Sequence, residues 1–121
     1  MRLPKKRRIS RSSEFRRVRT QGTAYRGRHL ILAVLEDSSL PEIKVGFITT
    51  KRLGNAVVRN RTRRRLRSIL VEMGDRILPG KYLVTVARQT AAEASYESLK
   101  REWTWLGHRA NLFCAEPQTA S

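Results

Sequence analysis

Lys51-Arg-Leu-Gly-Asn-Ala-Val-Val-Arg-Asn-Arg-Thr-Arg-Arg-Arg-Leu-Arg67 is the stretch from which the rest of the chain is read. Eight of its seventeen residues are Lys or Arg, and no Asp or Glu occurs between Glu42 and Glu72. Arg, Leu and Ala favour a helix, and no Pro or Gly interrupts residues 55–73. Val58, Thr62, Leu66, Ile69, Leu70 and Met73 recur at helical spacing and define one apolar face. Asn60, Arg61, Arg63, Arg64 and Arg67 then point away from it, while Arg59 falls near its edge and snorkels or sits in the first turn. Gly54-Asn55 reads as the break before the helix, with Asn55 as its N-cap. The free N–H groups of that first turn are donors for a phosphate. A charged helix face is usually a solvated face with i,i+4 acid–base pairs; here the acids are missing. Such self-repelling charge calls for a polyanion, and nucleic acid comes first.

The composition agrees. The chain has 121 residues, enough for one domain with a modest core, and 40% of them are hydrophobic. The net charge is +16, from 26 Lys and Arg against 10 Asp and Glu. An anionic membrane is the weaker partner, because no apolar run approaches the ~18 residues of a spanning helix. No apolar signal core follows the basic start, and the lone Cys114 forms no internal disulfide, so a cytoplasmic protein is expected. Residues 1–11 carry Arg2, Lys5, Lys6, Arg7, Arg8 and Arg11 and read as a flexible basic arm, free or laid on RNA. Residues 115–121 read as a frayed tail.

Working outward, Ser12 or Ser13 caps a short helix over residues 13–20, with Phe15 and Val18 on one side and Gly22 ending it. Phe15 is either a core anchor or a platform for an unpaired base. A strand near residues 22–28 is weakly signalled. His29 to Leu35 is an apolar run that fits a strand covered on both faces, and Ile43 to Thr50 is the next strand, most simply its hairpin partner. Lys81 to Arg88 is the clearest strand, rich in β-branched residues. Ala91 to Phe113 reads as a second long helix, with Tyr96, Leu99, Trp103, Leu106 and Ala110 inward.

Catalytic patterns are missing. His29 and His108 lack neighbouring ligands or carboxylates, Glu72 and Asp75 alone do not make a two-metal site, and no phosphate-binding loop or nucleophile elbow occurs. No catalytic residue and no protein-borne metal site is expected in this chain.

Residues 44–67 closely resemble the signature of the bacterial ribonuclease P protein family, an Arg59-Asn60-Arg61 motif in a helix after Gly54-Asn55-Ala56. The match extends to Glu14-Phe15 and Gly22 on one side, and to Tyr82–Ala87, Arg88 and Tyr96-Glu97 on the other. The resemblance implies an α/β (α+β) two-layer sandwich of one four-stranded sheet and three helices in the order αβββαβα. It also implies a left-handed crossover around the arginine helix, against the usual right-handed rule. It implies an accessory subunit of an endoribonuclease that removes the 5′ leader of precursor tRNA. There the catalyst is an RNA subunit working with Mg²⁺, held mainly by RNA and substrate. The partners implied are ribonuclease P RNA and precursor tRNA, with no membrane and no obligate protein partner. By position, Lys51, Arg52, Asn55, Arg59, Asn60, Arg61, Arg63, Arg64 and Arg67 would contact the RNA subunit. Phe15, Arg19, Phe47, Arg88 and Phe113 would serve a leader cleft between the sheet and the first helix. Arg19 and Ala33 stand where relatives have aromatic residues, which removes two stacking partners and leaves Arg19 to substitute charge.

Three rivals carry other expectations. A ribosomal protein or RNA chaperone would bind RNA without stimulating cleavage. A DNA-binding helix would prefer duplex DNA, although base readers mix Asn, Gln and Ser among their arginines. A self-sufficient nuclease would cleave alone.

Overall fold

The computed structural model describes residues 4–114. Its elements are α1 (Ser12–Gln21), β1 (Thr23–Arg26), β2 (Leu30–Glu36), β3 (Ile43–Ile48), α2 (Ala56–Met73), β4 (Lys81–Ala87) and α3 (Tyr96–Arg109). This is an α+β fold in the order αβββαβα, with short 3-10 turns at Lys5–Arg7, Lys51–Leu53, Gly74–Arg76 and Gln89–Glu93.

The four strands form one mixed sheet in the order β1-β2-β4-β3. The expected hairpin between β2 and β3 does not form. β4 inserts between them, antiparallel to β2 (Leu30 opposite Ala87, Glu36 opposite Lys81) and parallel to β3 (Ile43 opposite Lys81, Ile48 opposite Val86). The reason lies in β4 itself. Every residue of Lys81–Ala87 except Val86 is buried, so this strand gains most from a central place with two ladders and two covered faces. α2 makes the crossover between the parallel pair.

Alternation along the strands sorts the side chains into two cores. Leu30, Leu32, Val34, Val45 and Leu83 face α2 and α3 and form the larger one. Ala33, Tyr82 and Val84 face α1, where Val18 is fully enclosed. The larger core is thus a sheet-on-helix sandwich, and α1 covers the other side of the sheet.

Local chemistry fixes each helix. The Glu14 carboxylate accepts from the N–H groups of Ser10 and Arg11 at 3.4 Å and anchors the first turn of α1. Asn55 caps α2 by accepting from the Val58 N–H at 3.0 Å, and Thr62, Leu66, Ile69, Leu70 and Met73 are buried as their spacing predicts. The second long helix begins at Tyr96, not Ala91. Residues 89–93 form a 3-10 turn, Ala94 is extended, and Ser95 caps the helix through the Ser98 N–H at 3.1 Å. On α3, the Trp103 indole donates to the buried Thr85 hydroxyl at 3.0 Å, and Glu102 accepts from the N–H groups of His29 and Leu30 at 2.8 and 2.7 Å.

Part of the basic arm is docked. Arg8 bridges Val45, the Ile9 N–H donates to the Val45 carbonyl at 2.8 Å, and the Ile9 side chain joins the smaller core. Lys6 and Arg7 both pair with Glu42. The arm therefore covers the edge that β3 would otherwise expose. Residues 1–3 of the arm and the expected tail 115–121 lie outside the described residues. Among the described residues no helix is long and apolar enough to cross a membrane.

Candidate nucleic-acid interface

α2 turns its apolar stripe to the sheet, which leaves its cations on the outer side. Lys51 and Arg52, in the turn before it, are exposed, as are Asn60 and Arg64; Arg59, Arg61, Arg63 and Arg67 are half-buried. Among the described residues none of the cations from Lys51 to Arg67 makes an ion pair. The carboxylates are engaged elsewhere: Glu42 by Lys6 and Arg7, Asp37 by Arg17, Glu14 by Lys44, and Glu72 by Lys100. Hydrogen bonds hold all four carboxyls below their ordinary range, led by the Ser39 hydroxyl at Asp37 and the Tyr96 hydroxyl at Glu72, with these cations adding to them. For Glu42 the hydrogen bond from Lys6 leads and that from Arg7 follows; for Glu14, burial pulls upward and the Lys44 hydrogen bond and backbone N–H groups outweigh it. The acids thus pair with cations outside residues 51–67 and leave the α2 face uncompensated.

The face is not uniform. Arg63 is braced by the Asn60 side chain at 3.0 Å and the Thr49 hydroxyl at 2.6 Å, which fixes its guanidinium. Arg61 donates to the Ala92 carbonyl at 3.3 Å and Arg65 to the Ala94 carbonyl at 2.9 Å. These two arginines hold the segment before α3, a role that charge counting did not reveal. Asn55 is likewise committed to its cap. Lys51, Arg52, Arg59, Arg64 and Arg67 make no side-chain hydrogen bond among the described residues, and the free first-turn N–H groups of α2 lie beside the Lys51–Leu53 turn.

A second feature lies on the other side of the sheet. A cleft of about 510 Å³ runs between α1 and the end of β3, lined by Ser12, Phe15, Arg16, Arg19, Thr20 and Ile48. Phe15 is both things the sequence left open: its ring packs on the smaller core and lines the cleft. Gly46 makes this possible, because a Cβ there would come within 2.4 Å of the Phe15 ring. Two of the five leader candidates, Phe15 and Arg19, meet in this cleft. Phe47 and Phe113 do not: both pack against the larger core, and Phe113 lies edge-on to Trp103 with ring centroids 6.2 Å apart. Strand parity is the reason for Phe47, which follows Val45 on the face turned to α2. Arg88 is exposed at the end of β4 and donates to the Gly27 carbonyl at 3.0 Å. Arg16 and Thr20 were missed, although Ser12, Arg16, Arg19 and Thr20 share Phe15's side of a helix and the i,i+4 spacing carried that signal.

His29 bonds the Thr90 hydroxyl at 2.8 Å, and the His108 ring lies against Phe113 at 4.8 Å. Among the described residues no three His, Cys, Asp or Glu side chains gather to hold a metal.

Comparison with known proteins fits this geometry. The sequence model of the family described as Ribonuclease P matches residues 3–111. The ribonuclease P protein component of Bacillus mycoides is 37% identical over 110 residues, which are 91% of this chain and 96% of that protein. A Bacillus cereus counterpart is 36% identical over the same shares. The fold is that of the Staphylococcus aureus RNase P protein, with a TM-score of 0.83 at 24% identity over 89% of this chain and 98% of that one. The Thermotoga maritima RNase P protein superposes with a TM-score of 0.72 at 18% identity over 90% and 96%. With its arginine helix outward and its cleft under the first helix, the chain belongs to the ribonuclease P protein family.

Proposed function

We propose that the chain docks on the catalytic RNA of ribonuclease P through α2 and holds the 5′ leader of precursor tRNA in the cleft beside α1. Family membership makes it the protein subunit of ribonuclease P, acting in 5′ processing of tRNA. The observation that carries the docking is the uncompensated cation face of α2, in a protein whose carboxylates are drawn to other cations. Lys51, Arg52, Arg59, Arg64 and Arg67 meet phosphates as free cations, Asn60 and Arg63 as a braced pair, and Asn55 by shaping the helix N-terminus. In the cleft, Phe15 offers a ring to a base, while Arg16 and Arg19 take the adjoining phosphates. Stacking and charge read little sequence, which suits leaders that differ from one tRNA to the next.

The chemistry belongs to the RNA in this reading. Mg²⁺ held by the RNA subunit and the substrate supplies the metal chemistry, and the chain contributes position and counter-charge. The test is cleavage of precursor tRNA at low Mg²⁺ by the RNA alone, the protein alone and both together. The expected result is cleavage at the mature 5′ end that requires the RNA, rises with the protein and falls with an Arg64→Ala/Arg67→Ala variant. Cleavage by the protein alone, or no stimulation by the folded protein, overturns the reading.

A further inference from the structure

Trp105 is the one feature of α3 that neither core explains. At about 100° per residue it points away from Leu99, Trp103 and Leu106, which are fully buried. Arg109 lies over one face of its ring, 5.1 Å from the centroid, yet the residue remains 52% exposed. The arginine therefore shields one face and leaves the other open. Arg101 and Arg109, both exposed, stand one turn before and one turn after Trp105. His108 is exposed near the same side; of the acids, Glu97 sits two turns away in the first turn of the helix, and Glu102, one turn before Trp105, is committed to the His29 and Leu30 N–H groups.

The placement of α3 gives this stripe a context. α2 and α3 pack on the same face of the sheet and share the larger core. Glu72 of α2 accepts from the Tyr96 hydroxyl at 2.5 Å and from Lys100 at 3.2 Å, so the end of α2 is tied to the first two turns of α3. Their outer sides look into the same half-space, whereas the α1 cleft opens on the opposite face of the sheet. At about 100° per residue Trp105 is turned about 140° round α3 from Lys100, which touches α2, so a polyanion bound to α2 meets Trp105 by continuing over the outer side of α3. A second copy of this chain, itself at +16, is repelled from the same surface.

We propose that Arg101, Trp105 and Arg109 form a second contact with the RNA subunit, in which an unpaired base stacks on the open face of the indole. The phosphates flanking that base take the two arginines. Arg109 on the covered face polarises the ring and holds it at a fixed angle, so the indole is a prepared platform. The proposal rests on the reading of α2 as the contact with ribonuclease P RNA and extends that surface to the neighbouring helix.

The experiment titrates the full chain with ribonuclease P RNA and follows tryptophan emission. Trp103 is fully buried, so Trp105 reports the contact. Quenching that saturates with the RNA and is absent in Trp105→Ala is expected. The Kd of Trp105→Ala should rise by about 5- to 150-fold, the range of one lost base stack, while Trp105→Phe, which keeps an aromatic face, should retain most of the affinity. If neither variant changes the affinity and no quenching appears while Arg64→Ala still weakens binding, the stripe is not a contact, although the α2 reading stands. If Arg64→Ala also binds normally, the α2 reading fails with it. Quenching by precursor tRNA but not by ribonuclease P RNA, or on raising the protein concentration without RNA, overturns the assignment in favour of another occupant.

Discussion

Gly46 and Phe15 show how one missing Cβ shapes a site. The ring lies where a side chain on β3 would be, so it serves as floor of the smaller core and wall of the cleft together. Phe15 was legible in the sequence as an aromatic of two meanings; Gly46 was not, because a glycine in a strand announces only close approach, not the partner that approaches. Gly46→Ala should displace the ring. The leader-dependent part of the affinity for precursor tRNA is then expected to fall about tenfold, within the range for one stacked base, with binding of the RNA subunit unchanged. Equal loss for substrates with and without a leader would show that Phe15 serves the core alone. Phe47 and Phe113 were assigned to the leader by resemblance, and strand parity and the larger core place them elsewhere.

Among the elements, α2 was the most legible and the pairing of β3 the least. The α2 stripe is set by local spacing, and its buried positions follow that spacing residue by residue. Pairing of β3 depends on β4, some forty residues downstream, and no local signal in residues 29–50 announces an intruding strand. The start of α3 was misplaced for a related reason: Ala91–Ala94 has helical composition, but the Arg61 and Arg65 guanidinium groups hold its carbonyls from α2. Neighbours in the sequence thus differ in role. Arg65→Ala should lower stability by about 1 kcal/mol through the lost charge-assisted hydrogen bond, seen as a lower urea midpoint, and leave the salt dependence of RNA binding unchanged. Arg64→Ala should do the reverse. A stable Arg65→Ala protein with a reduced salt dependence would place Arg65 on the RNA instead.

The chain is a cation, and most of its acids among the described residues are engaged by cations or backbone N–H groups. Glu14, Asp37, Glu42 and Glu72 are all held below their ordinary values; for Asp37 the Ser39 hydroxyl leads, and for Glu72 the Tyr96 hydroxyl. A carboxyl lowered in the folded state adds stability that is present above its unfolded value and lost as pH falls through its folded one. The urea midpoint should therefore hold steady from neutral pH to about 5 and decline below about 4, where unfolded carboxylates protonate. At the alkaline end, burial and then Glu72 push Tyr96 up to about 12, so the stability it adds is complete below about 10 and is lost as pH rises through that raised value. A midpoint that rises on acidification would contradict the role given to these pairs. The partner of all this charge is tested most directly by the affinity for ribonuclease P RNA as a function of salt. If the chain engages about six to ten phosphates, affinity should fall by roughly 10³–10⁵ between 50 and 200 mM salt. An Arg63→Ala/Arg64→Ala/Arg67→Ala variant should show a log–log slope shallower by about 2 to 3. A weak salt response, or a variant whose slope matches the parent, would contradict docking through the arginine face of α2.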